Sequence, residues 1–125
     1  MDRTLIKVKR VYEPIESSDG RRFFVERLWP RGIKKESLSD AVWLKDIAPS
    51  PELRQWFNHD PAKWVELKRR YAKELSSNET ALRPLIDAAR GCTITLLYSA
   101  RDVEHNSAIL LKTFLEKKLG SKKQR

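Results

Sequence analysis

The seven residues ERLWPRG set one carboxylate, two arginines and a tryptophan together as Glu26, Arg27, Trp29 and Arg31. Such a set can hold an anion, because a guanidinium grips phosphate or carboxylate with two parallel donors and an indole face stacks on a flat ligand. A second polar stretch, SARDVEHN, supplies Ser99, Arg101 and the amides of Val103 and Glu104. The two stretches are candidate halves of one ligand site, with Arg27 and Arg101 facing the same polar cleft. For acid-base chemistry the candidates are His59, beside Asp60 in NHDP, and His105, close to Ser99 and Asp102. An imidazole next to a carboxylate can take up or release a proton. Each group also has an ordinary use. Arg27 can pair with Glu26 or with a carboxylate across a sheet, Trp29 can seal a core edge, and either histidine can serve local hydrogen bonding.

For the two stretches to meet, they must follow strands that lie side by side. Branched residues over Thr4 to Tyr12 read as a first strand, ended by the turn chemistry of EPIESSDG. Phe23 to Leu28 reads as a second strand, stopped by Pro30 and Gly32. After a short helical segment around Lys34 to Ser39, AVWLKDIA carries the weak alternation of a third strand. Ser50 before Pro51, and Asp60 before Pro61, are helix starts: the side-chain oxygen caps a free amide, and proline occupies a position that needs no donor. Trp64, Leu67, Tyr71 and Leu75 recur at helical spacing, with Glu66 and Arg70 paired on another face. A third helix from about Glu79 turns Leu82, Leu85, Ile86 and Ala89 inward, and Gly91 is placed to close it in a left-handed conformation. Thr93 to Tyr98 is too short for a helix and reads as an interior strand covered on both faces. Asp102 is placed to cap a last helix whose buried side is Ile109, Leu110, Phe114 and Leu119, with Gly120 ending it.

That order predicts one α/β domain over residues 1–120, a small and mainly parallel sheet flanked by helices, with Phe23 to Leu28 and Thr93 to Tyr98 as near neighbours. Residues 121–125 read as a flexible basic tail. Ligands of open parallel sheets collect beyond the carboxyl ends of the strands, which is where both polar stretches fall.

Composition narrows the chemistry. The chain has 125 residues, room for one core, and 40% are apolar. No apolar run of membrane-spanning length or signal-peptide pattern occurs, so a cytoplasmic protein is expected. The 26 basic and 17 acidic side chains leave a charge of +9. Such a field draws anions, nucleic acid among them, and is also compatible with a merely soluble basic surface. One cysteine and two histidines leave no metal-ligand spacing, and no cofactor is implied. Ser99 lacks the flanking glycines of a nucleophile elbow. Cys92 precedes a strand, at the wrong sheet end for a strand-tip nucleophile, and no phosphate-binding glycine loop is present.

RVYEP, DG, ERLWPRG, WLKDIAPSPELRQWF, HDPAKW, RRY and LLYSARDVEHNSA together resemble the YeaO-like family of bacterial proteins, over almost the whole chain. Where the family pattern has aspartate before the arginine of RLWPRG, this chain has Glu26, a carboxylate of longer reach. The resemblance implies a small α/β domain and no particular reaction. It adds Asn106 to the candidate ligand-binding set of Arg27, Trp29, Arg31, Ser99 and Arg101, beside the candidate catalytic His59, His105 and Asp102. Asp60 and Tyr98 are further motif positions. The leading functional expectation is an anion-binding module for a nucleotide, nucleic acid or phosphorylated metabolite. The alternatives are a small acid-base or hydrolytic enzyme and a noncatalytic protein-binding module.

Overall fold

A computed structural model of the chain describes residues 5–123, with side chains described through Gly120. Four strands form one sheet: β1 (Ile6–Arg10), β2 (Arg21–Phe24), β3 (Val42–Trp43) and β4 (Ile94–Tyr98), in the order β1-β4-β2-β3 and all parallel. Four helices accompany them: α1 (Pro51–Phe57), α2 (Trp64–Ser76), α3 (Glu79–Gly91) and α4 (Ser107–Lys123). The α/β class and the β2–β4 adjacency agree with the sequence reading. Register is fixed around β4, with Ile6 and Arg21 both opposite Ile94, and Phe23 opposite Leu96. All five β4 residues are buried, as its unbroken apolar run requires of an interior strand.

The helices are not shared between the faces. Ile6, Phe23, Ile94, Leu96 and Tyr98 point to one face and join Leu53, Leu67, Tyr71, Leu82, Leu85 and Leu111 in the main core. On the opposite face Val11, Phe24 and Leu97 make a smaller core, covered by Leu38, Trp29, Ile33 and Ala41 from the connections. Only ten residues, 11–20, join β1 to β2, fewer than the dozen or more such a parallel crossover ordinarily takes. The steps β1 to β2 and β2 to β3 move one way over the loop-covered face, and β3 to β4 moves back over the helical face. Opposite directions on opposite faces give a single handedness, as parallel connections require.

The short first crossover is tied down by charge. Lys7, Lys9 and Arg22 share the loop-covered face with Thr95, and all four converge on Asp19, whose side chain is 0% exposed. Lys9 Nζ lies 3.0 Å from both carboxylate oxygens and also donates to the Pro14 carbonyl at 2.9 Å. The Glu16 amide donates to Asp19 at 3.1 Å, and the Thr95 hydroxyl donates to the Asp19 carbonyl at 2.7 Å. Burial opposes the charged form of Asp19, yet the Glu16 amide and the two lysines outweigh it and hold the carboxyl below its usual range. Lys9 likewise titrates above its ordinary value, burial being outweighed by Asp19 and Glu16. The adjoining Gly20 has φ +64°, and a Cβ there would stand 2.0 Å from the Thr93 carbonyl oxygen. That position takes glycine alone.

Several element boundaries depart from the local signals. β2 ends at Phe24, four residues before Leu28, because its pairing with β4 ends at Leu97 and with β3 at Trp43. β1 starts at Ile6; the expected start, Thr4, lies outside the described residues. Gly91 sits inside α3 and has no positive φ; extended Cys92 ends the helix. α4 starts at Ser107, later than a cap at Asp102 would place it, and runs through Gly120 to Lys123. The side chains of residues 121–123 and all of residues 124–125 lie outside the described set, so the expected tail falls largely beyond it. The buried side of α4 is Ala108, Leu110, Leu111, Leu115 and Leu119, while Ile109 and Phe114 are only half-buried. Packing against β1, β4 and α2 chooses that rotation. The caps at Ser50 and Asp60 are as read, accepting the amides of Leu53 and Ala62 at 3.2 and 3.0 Å.

Candidate functional site

The carboxyl ends of β1, β2 and β4 lie together, and the chain uses that proximity first to lock itself. Glu26, just past β2, accepts the Ser99 amide at 3.0 Å and the Ser99 hydroxyl at 2.5 Å. From β1, Arg10 donates to the carbonyls of Ser99 and Ala100, each at 3.0 Å. Trp43 Nε1 donates to the Glu26 carbonyl at 2.7 Å. ERLWPRG and SARDVEHN therefore do converge. Their central carboxylate and serine are spent on each other. The longer reach of glutamate suits this two-donor grip, which links residues 73 apart in the chain and is invisible to local spacing.

Arg27 and Arg101 share this end of the sheet but not a cleft. Arg27 turns toward the helical face, where Nη2 donates to the carbonyls of Ala48 and Pro49 at 3.3 and 3.4 Å. Its buried Nε has no hydrogen-bond partner. The side chain is half-buried, yet no described carboxylate forms an ion pair with it. It lines a groove of about 650 Å³ between residues 46–50 and α2, together with Arg69, Arg70, Lys73, Glu74 and Asp46. Glu74 is occupied by Ser50, accepting its amide at 2.9 Å and its hydroxyl at 2.6 Å. Tyr71 borders the groove and donates to the Ile47 carbonyl at 2.7 Å; burial, helped by Glu74 and opposed by Arg27, pushes its phenol far above the usual value. Arg69 and Arg70 both bind Glu66, at 2.7 and 2.8 Å, and hold its carboxyl at about 2. Lys73 and the two arginines form a cationic rim around Arg27. Sequence spacing missed it, because α2 meets Arg27 only in three dimensions.

Arg101 is exposed, on the loop leading to α4, and is absent from that lining. Arg31 is also exposed, its carbonyl accepting from the Tyr12 hydroxyl at 2.8 Å, and Tyr12 in turn lies under the Arg10 guanidinium at 4.7 Å. Trp29 belongs to the second core and donates from Nε1 to the Ile33 carbonyl at 2.7 Å. Asn106 is 4% exposed and is the true cap of α4: its side-chain oxygen accepts the Ile109 amide at 3.1 Å, and its nitrogen donates to the Asp102 carbonyl at 3.0 Å.

Asp102 caps the turn before α4, accepting the amides of Glu104 and His105, each at 2.9 Å. These amide bonds, the Glu104 one foremost, hold its carboxyl low, and His105 adds to them. His105 Nδ1 lies 3.0 Å from the same carboxylate, and its ring meets Trp64 edge-on at 5.0 Å. His59 is exposed at φ 54°, following Asn58 at φ 46°. It touches Phe57, which touches Trp64, so both histidines flank one aromatic cluster without meeting. Among the described residues no group of three or more His, Cys, Asp or Glu could hold a metal, and no helix is long and apolar enough to cross a membrane.

The comparisons agree with the motif-level resemblance. The protein YeaO of Escherichia coli K12, described as uncharacterized, is 44% identical over 110 residues, 88% of this chain and 96% of that protein. An uncharacterized protein of Mycobacterium tuberculosis H37Rv is 38% identical over 112 residues, 90% of this chain and 94% of its own, and a Mycobacterium bovis protein matches to the same extent. No solved structure matches. The model of the family described as the "Inactive DUF488-N3 subclade" covers residues 5–125, and with YeaO aligned over nearly its whole length the chain belongs to this YeaO-like family.

Proposed function

We propose that the protein is a cytoplasmic, noncatalytic anion-binding domain whose ligand sits in the groove between residues 46–50 and α2. One observation carries this reading: Arg27 is a half-buried guanidinium with no described carboxylate partner and an unsatisfied Nε. Removing a charge from water is costly unless an opposite charge or good hydrogen bonds replace the solvent. The two long bonds to carbonyls are weak compensation. A phosphate or carboxylate entering the groove completes the shell, with Arg69, Arg70 and Lys73 at the rim. Arg31 and Arg101, exposed at the same end of the sheet, extend the positive field. The family description, with its word "Inactive", supports a role without turnover.

Titration calorimetry with inorganic pyrophosphate at low salt tests the reading. Arg27→Gln is expected to weaken binding at least about tenfold, which is about 1.4 kcal/mol, while the protein stays folded. Unchanged affinity in a folded variant would sink it. The acid-base alternative is favoured by the 3.0 Å contact of His105 Nδ1 with Asp102, which orients the other ring nitrogen. Turnover of a phosphate ester by the wild type, abolished in His105→Gln, would establish that alternative instead.

A further inference from the structure

Resting on the anion-binding reading, we propose that the ligand is a single-stranded nucleic acid, with its phosphates in the Arg27 groove and a base in the aromatic hollow on the other side of β3. The hollow, about 280 Å³, is walled by Phe24, Trp29, Leu38 and Trp43. The Trp29 and Trp43 rings stand 5.2 Å apart at 67°, and Phe24 lies 6.0 Å from Trp29 and 6.2 Å from Trp43. Both indole N–H groups are turned away onto carbonyls, those of Ile33 and Glu26. The walls therefore offer ring carbon, and the polar groups of the lining are Lys35 and Ser39. A flat ring with hydrogen-bonding edges and a nearby negative charge matches this lining.

The surroundings select a nucleic acid over an uncharged ring. Trp43 lies on the edge strand and is 39% exposed, with the Lys45 ammonium 5.1 Å from its ring centre. From Trp43 the chain reaches Ala48, whose carbonyl accepts from Arg27, so five residue steps, at most ~18 Å of chain, separate the two half-sites. They are also bridged directly, since Trp43 bonds the carbonyl of Glu26, the residue before Arg27. Lys35 and Lys45 on one side and Arg69, Arg70 and Lys73 on the other line the path with cations. Asp46 and Glu74 are the carboxylates of the groove, and Glu74 is held by Ser50. A positive track beside an exposed aromatic ring, here Trp43, is how single strands are held without regard to sequence, because every base has a stacking face. A duplex, whose bases are already stacked inside, cannot use the hollow.

The test is fluorescence anisotropy at low salt with a labelled oligothymidylate of about 12 nucleotides, within the range one such module covers. An abasic strand with the same phosphates, a duplex and an acidic peptide of equal charge complete the set. The base-bearing strand is expected to bind roughly tenfold or more tighter than the other three, consistent with one stacked base. Trp43→Ala should erase the advantage over the abasic strand, and Trp43→Phe should restore most of it, which separates stacking from loss of the fold. Arg27→Gln should weaken both strands alike. If base-bearing and abasic strands bind equally and Arg27→Gln weakens both, the stacking inference falls while the anion groove stands. If Arg27→Gln alters neither strand nor pyrophosphate, the groove falls too. Preference for the acidic peptide, or no binding to any strand, overturns the nucleic acid assignment.

Discussion

Arg22 and Arg27 stand five residues apart, at the start of β2 and just beyond its end, and the chain treats their charges in opposite ways. Arg22 is 4% exposed and holds Asp40 with Nη1 at 3.0 Å from both oxygens, while its Nε, which like that of Arg27 makes no hydrogen bond, lies 3.7 Å from the carboxylate of Asp19. That carboxylate is shared with Lys7 and Lys9, so the buried charges of the loop-covered face cancel locally. Arg27 has two backbone carbonyls and no described carboxylate. The first region uses charge to hold a crossover, and the second leaves charge for something else to meet. Buried charge alone therefore does not mark a site. Lack of a counter-charge does.

The largest expected effect lies on the Asp19 side. Asp19→Ala leaves buried Lys9 with only the exposed Glu16 carboxylate and the Pro14 carbonyl, and should cost about 3–5 kcal/mol, read as a lowered midpoint in urea unfolding. Against a total of about 5–15 kcal/mol for a domain, that brings the chain close to unfolding. A cost below about 1 kcal/mol would show that the cluster is not what anchors the crossover. Next, Gly20→Ala must relieve its 2.0 Å approach to the Thr93 carbonyl while φ stays positive, at a cost of about 3 kcal/mol. Gly32→Ala, at φ +79° with open space around it, should cost less, and equal losses would remove the steric argument.

The pH dependence of stability probes the same cluster. Asp19 titrates below its usual value in the folded protein, so its contribution is present above the unfolded pKa of about 3.9 and is lost as pH falls through the folded value. Lys9 titrates above its usual value, so its contribution is present below about 10.4 and is lost as pH rises through the folded value. Between those limits the cluster contributes a plateau. Asp19→Asn should flatten the acid limb of a urea-midpoint profile, and an unchanged acid limb would contradict the assignment.

On the Arg27 side stability is nearly indifferent to the charge. Arg27→Met removes a poorly compensated charge, and stability should change by less than about 1 kcal/mol in either direction while pyrophosphate affinity falls. A destabilisation as large as that of Asp19→Ala would erase the contrast between the two regions. Smallest of all, the double change Lys122→Ala and Lys123→Ala should lower anion affinity by only a few-fold and only at low salt, because salt screens diffuse charge. A greater loss than for Arg27→Gln would mean that diffuse charge rather than the groove attracts the ligand.

Contacts between near neighbours in the chain were legible without a structure. Ser50 and Asp60 cap as their spacing predicts, Glu66 pairs with Arg70, and the buried interior strand Ile94–Tyr98 lies within TITLLY. Each depends on residues within about one helical turn, or on an apolar run that only an interior strand can bury. The sequence by itself also determined the α/β class and the family, because strand and helix periods alternate and the motifs span the chain. Element ends were decided elsewhere. β2 stops where its neighbours stop, and α4 passes Gly120 although the residue favours a stop, because pairing and packing outweigh propensities worth about 1 kcal/mol. Only the tertiary structure joined Glu26 to Ser99, 73 residues apart, and Thr95 to Asp19, 76 apart. The same holds for Arg27, which the sequence placed at a strand end. Which way its guanidinium turned, and that no carboxylate met it there, depended on where α2 and residues 46–50 packed, since a charge is balanced by neighbours in space and not by neighbours in the chain.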